Sequence, residues 1–139
     1  MADIPKVVFE YPPVDLDRKK SDMLVVHCSD PRYQEVYRRF IDEKLNAYFD
    51  LAVDAGASKA IISDQGVQDR IRLLHDLHNF KSVHVLDHEQ CGAFGQVANE
   101  LDAHRETMDE AKDVLAGLIS LPRIAIKGYL FGQKTAVEI

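Results

Sequence analysis

Two short apolar runs constrain this chain more than anything else in it. Met23-Leu24-Val25-Val26-His27-Cys28 and Ser82-Val83-His84-Val85-Leu86-Asp87 are rich in β-branched residues, and each stops abruptly in a turn. Apolar runs this short, without clear polar alternation, predict strands buried on both faces. Around them the period changes to threes and fours. Tyr33, Val36, Tyr37, Phe40, Ile41, Leu45, Tyr48 and Phe49 predict a helix over 32–49, and Val67, Ile71, Leu74 and Leu77 a second over 67–80. Residues 50–53 and 59–62 read as short extended pieces around the loop Asp54-Ala55-Gly56-Ala57-Ser58. Two further helices are expected over 94–104 and 108–118. A closing hairpin is expected from 123–131 and 135–139. Strands alternating with helices predict an α/β fold, a mainly parallel sheet flanked by helices, with ligands held beyond the carboxyl ends of the strands.

At 139 residues the chain has room for one domain. Residues 1–20, with Pro5, Pro12 and Pro13, read as an N-terminal arm in which Val7-Val8-Phe9 is the one extended piece, and residues 21–139 as the domain. The net charge of −6 argues against nucleic acid as a partner. Even the densest basic run, Arg18-Lys19-Lys20, has Asp15, Asp17 and Asp22 around it. No run approaches the ~20 apolar residues of a membrane span, so no membrane partner is expected. Met1-Ala2-Asp3-Ile4-Pro5 lacks the basic and apolar regions of a signal peptide, which predicts a cytoplasmic protein. In a reducing compartment the two cysteines, Cys28 and Cys91, are free thiols or metal ligands.

The topology brings both cysteine-bearing turns to one edge of the sheet. Cys28, His88 and Cys91 there suit zinc, which favours thiolate and imidazole donors. His88 and Cys91 are three residues apart, so one turn can aim both at a point. Three protein ligands with an open position is the arrangement of a catalytic zinc. Asp30 lies two residues beyond Cys28, and Arg32 can fork onto its carboxylate and keep it ionised. Asp30 then either fills the fourth metal position or accepts a hydrogen bond from a group bound there. The other histidines, His27, His75, His78, His84 and His104, read as ordinary core or surface residues. The aromatic stripe from Tyr33 to Phe49 reads as core or interface.

Cys28-Ser29-Asp30-Pro31-Arg32 and His88-Glu89-Gln90-Cys91-Gly92-Ala93 resemble the Cys-x-Asp-x-Arg and His-x-x-Cys-Gly-Ala motifs of the β-class carbonic anhydrases, in that order and each after an apolar strand. Ala55-Gly56 and the stretch Ile126-Lys127-Gly128-Tyr129-Leu130-Phe131 extend the likeness over roughly 20–139. The resemblance implies a β-carbonic anhydrase-like domain that is short for the family. It implies a Zn2+ held by Cys28, His88 and Cys91, with Asp30 as ligand or catalytic acceptor and Arg32 orienting it. The implied activity is a zinc lyase's reversible hydration of carbon dioxide to bicarbonate through zinc-bound hydroxide. The implied assembly is a homodimer or a higher even-numbered homo-oligomer, with Tyr33, Tyr37 and Phe94 lining the pocket or the interface. One departure is clear: Val53-Asp54-Ala55-Gly56-Ala57 stands where the family commonly has Arg-Asn-Ala-Gly-Asn. Two alternatives follow, the same site acting on carbonyl sulfide or carbon disulfide, and a zinc-binding homologue without hydration activity.

Overall fold

The computed structural model describes residues 4–139. Strand β1 (Met23–His27) is an inner strand of the sheet, with all five of its residues buried and no face left for water. It pairs in parallel with β2 (Phe49–Val53) on one side and β3 (Ser82–His88) on the other. Strand β4 (Ile126–Phe131) continues the sheet in parallel, and the short β5 (Ala136–Glu138) closes it antiparallel. The order β2-β1-β3-β4-β5 means the chain leaves β1 toward one edge and returns to the other side of it. The gap between the carboxyl ends of β1 and β3 is the topological switch point, where open α/β sheets bind ligands.

Helices cover the two faces unequally. Leu24 and Val26 of β1 and Val83 and Val85 of β3 pack with α2 (Ser58–Ser63), α3 (Gln65–His78) and α4 (Glu100–Ile119) in the larger core, around Ile61, Ile71, Met108 and Leu115. Met23, Val25 and Leu86 point the other way, toward Tyr37 and Ile41 of α1 (Gln34–Phe40) and the turn after it. With period two along each strand, neighbouring residues serve different cores. Helix starts are chemically marked: the Asp64 carboxylate accepts from Gly66 and Val67 N–H, and Asn99 Oδ1 accepts from Asp102 N–H.

Three local expectations are corrected. Residues 59–62 are not extended; they belong to α2, whose Ala60 and Ile61 enter the larger core. The β-branched pair Ile61-Ile62 favours a strand locally, and packing overrides it. The helix expected over 32–49 is shorter. After Phe40 it widens into a π-helical turn, Ile41–Leu45, which left-handed Asn46 (φ 41°) ends, and Phe49 begins β2. The two helices expected over 94–104 and 108–118 are one, Glu100–Ile119. His104, Met108, Ala111, Leu115 and Ile119 form one buried stripe along it, and Arg105-Glu106 is polar because it faces water, not because the helix breaks. Residues 4–22 form no helix or strand, Val7-Val8-Phe9 included.

Candidate metal centre

Cys28 follows β1 directly, and His88 ends β3. The parallel pairing of these strands, His27 opposite Leu86, brings the two ends together. Cys91 comes from the turn that leaves β3. All three residues are buried, and their donor atoms lie within 4.8 Å of one another. The sulfurs are 3.8 Å apart, and both thiols are free. A disulfide needs ~2.05 Å. A tetrahedral zinc with Zn–S of ~2.3 Å sets its sulfurs ~3.8 Å apart.

The ring of His88 is aimed by its other nitrogen. Nδ1 lies 2.7 Å from the carbonyl of Glu89, and a carbonyl only accepts, so Nδ1 carries the proton. In the neutral ring Nε2 is then a bare lone pair. Nε2 is buried with no hydrogen-bond partner among the described residues, a costly arrangement unless a cation takes the lone pair. Tyr33 stacks on this ring with centroids 4.3 Å apart and limits its rotation. These are the observations on which the donors fit a thiophilic divalent metal.

Backbone N–H groups surround the sulfurs. Gly56 N–H donates to Cys28 Sγ at 3.4 Å. Gly56 has φ +87°, and a Cβ there would stand 2.8 Å from that of Ala93, so glycine lets the loop pass between the turns. Burial pushes the Cys91 thiol up to about 11, against the N–H groups of Ala93 and Phe94, which favour the thiolate. A bound divalent cation reverses that preference and deprotonates a coordinating thiol.

Asp30 stands at the rim. Its Oδ2 is 3.6 Å from His88 Nε2, while Arg32 Nη2 and Nε donate to it at 2.7 and 3.2 Å. Oδ1 accepts from the Arg32 backbone N–H at 2.9 Å and from Nε at 3.1 Å. These bonds hold the carboxyl at about 2. Arg32 Nη2 also donates to the carbonyl of Gln90, at 3.1 Å, which ties the first turn to the second. Asp30 lies outside the three-donor cluster and beside it.

Other anticipated residues separate. Tyr37 is wholly buried, its hydroxyl without a hydrogen-bond partner among the described residues, and Phe94 covers His104 rather than the donors. His78 bonds Asp50, far along the sheet from the donors. Sequence reasoning passed over Gln34, whose amide donates to the carbonyls of Cys28 and Asp30 at 3.0 and 2.7 Å. It also passed over Asp87 and Glu100, which flank His104, read as an ordinary core or surface residue, in a polar group behind the turn that carries Cys91. An Asp closing an apolar strand and a Glu four residues before a His were the available signals.

The fold and its donors define a candidate Cys-His-Cys metal site at the switch point of an open α/β sheet. Residues 18–139 match the protein family described as "Putative carbonic anhydrase", and the chain belongs to that family. An uncharacterized protein of Rickettsia bellii is 25% identical, over 86% of this chain and 81% of its own. Another, from Rickettsia conorii, is 28% identical over 86% and 72%. Among solved structures, a β-carbonic anhydrase of Trichomonas vaginalis shares the fold with TM-score 0.63 at 12% identity, covering 94% of this chain and 87% of that one. A carbonic anhydrase of Streptococcus mutans gives 0.60 at 18%, over 88% and 83%. A carbon disulfide hydrolase gives 0.55 at 14%, over 84% and 77%.

Proposed function

We propose that the chain is a zinc-dependent lyase that hydrates carbon dioxide to bicarbonate reversibly. The observation that carries this reading is the bare, buried Nε2 of His88, clustered with two thiols and flanked by a carboxylate that an arginine holds fixed. Cys28, His88 and Cys91 would hold the ion, and family membership favours zinc. Zinc so held supplies Lewis acidity, which brings a coordinated water's pKa toward neutral.

The residues around it do the rest. Asp30 stays ionised at any working pH and presents only lone pairs, so it accepts a hydrogen bond from the nucleophilic water and orients it. Arg32 bonds both oxygens of Asp30, which favours the catalytic role for Asp30 over ligation. Tyr33, stacked on the His88 ring, shields one side of the centre from bulk water.

The working unit is a homodimer or a higher even-numbered assembly in the cytoplasm. Beside the centre runs a groove of about 1270 Å³ whose lining includes Arg32, Tyr33 and Gln90, then Met23, Phe40 and Tyr129. Arg39, Lys44, Lys127 and Lys134 also border it. The arm exposes Ile4, Val8, Phe9 and Leu16, each at least 74% accessible. Exposed apolar side chains of this kind suit the half-apolar groove of a second copy. No described helix is long and apolar enough to cross a membrane.

Stopped-flow hydration at alkaline pH tests the reading on zinc-loaded protein. The rate should stand far above buffer and fall by roughly 10²-fold or more in Asp30→Ala, the scale of a lost acid–base group. Zinc-replete protein with no rate above buffer overturns it. The carbon disulfide hydrolase among the fold neighbours supports a second reading, in which the same centre hydrolyses carbonyl sulfide or carbon disulfide. Assaying both substrates in parallel separates the two.

A further inference from the structure

We propose that Glu100 and His104, at the start of α4, are positioning residues that hold the 87–94 segment so that His88 and Cys91 converge on one metal ion. The proposal rests on the metal-binding reading above. His104 is fully buried, and each ring nitrogen faces a carboxylate oxygen: Nδ1 lies 2.8 Å from Asp87 Oδ2, and Nε2 3.2 Å from Glu100 Oε2. Asp87, the residue before His88, also accepts the Ser58 backbone N–H at 3.0 Å and its hydroxyl at 2.5 Å. The other oxygen of Glu100, Oε1, accepts the Gln90 N–H at 3.1 Å. The Phe94 ring packs on the His104 ring with centroids 3.9 Å apart. One stretch of α4 thus meets the ligand turn before His88, between the two ligands and after Cys91.

The residue between the ligands most needs holding. Gln90 has φ +54°, a left-handed conformation that side-chain-bearing residues avoid. Strained backbone persists where its surroundings over-determine it. Here Glu100 takes the N–H of Gln90, and Arg32 donates to its carbonyl at 3.1 Å. Burying Asp87 (1% exposed) and His104 (0%) is expensive, and apolar side chains could fill that volume without the desolvation cost. What apolar packing lacks is direction, which hydrogen-bonded partners supply. Groups that orient metal ligands from behind typically change affinity 10–100-fold when removed.

The test compares Glu100→Ala with Asp102→Ala. Each removes one carboxylate from the first turn of α4, so net charge and the interaction with the helix dipole change alike. Only Glu100 touches the metal turn. Zinc affinity, measured by competition with a chromophoric chelator, should fall roughly 10–100-fold in Glu100→Ala and stay at the wild-type value in Asp102→Ala. The visible absorption band of the cobalt(II)-loaded protein should shift in Glu100→Ala alone. Glu100→Gln, which keeps an acceptor for Gln90, should retain more affinity than Glu100→Ala. Wild-type affinity or an unshifted cobalt band in Glu100→Ala, or equal weakening in Asp102→Ala, overturns the positioning role. Wild-type protein that binds neither zinc nor cobalt overturns the metal-binding reading itself.

Discussion

Arg32 makes the Asp30 carboxyl a stronger acid than an ordinary aspartate. The forked pair holds the Asp30 carboxyl at about 2, below the ordinary value of about 3.9. A carboxyl lowered in the folded state stabilises the fold at pH above its unfolded value and loses that contribution as pH falls through the folded one. Its share of stability is therefore complete above about pH 4 and gone once pH passes below the folded value of about 2. Arg32→Gln should return Asp30 to the ordinary carboxylate range and remove that acid window. A carbon-13 titration of the Asp30 carboxyl in metal-free protein checks this, and a value still near 2 in the variant would contradict the assigned cause. Cys28, His88, Cys91 and the Asp30–Arg32 pair were legible as residues because each motif sits at the end of an apolar run. The tautomer of His88 was not legible, since it depends on a carbonyl, Glu89, whose direction is set by backbone geometry.

At the scale of elements, legibility tracks length and locality. β1 and β3 declare themselves because burial on both faces demands unbroken apolar runs. Helix α3 does so because fourteen residues carry several turns of period. α2 has six residues, too few for its period to outweigh the β-branched Ile61 and Ile62. α4 was read in two pieces because Arg105-Glu106 looks like a break until the neighbouring sheet shows which face is inward. The tie from α4 to the metal turn is hidden for a related reason. Asp87 and His104 are 17 residues apart, and no periodicity links a strand's last residues to a later helix. Both the departures and this tie lie in segments whose conformation is decided by contacts rather than by propensity.

For the whole molecule, the uneven covering of the sheet is the main consequence of the chain's order. Three helices pack on one face, while α1 and its π-helical turn cover the other and leave the groove beside the metal centre. Multi-angle light scattering should therefore give an even number of chains, and a monodisperse monomer with full hydration activity would contradict the assembly. Beneath assembly and catalysis lies the claim that two sulfurs and one imidazole nitrogen hold a single ion. Elemental analysis of protein loaded with zinc and freed of excess tests it most directly. Wild-type protein should carry about one zinc per chain, as a three-ligand centre requires, and Cys91→Ala should lose nearly all of it. Full zinc occupancy in Cys91→Ala would contradict the claim.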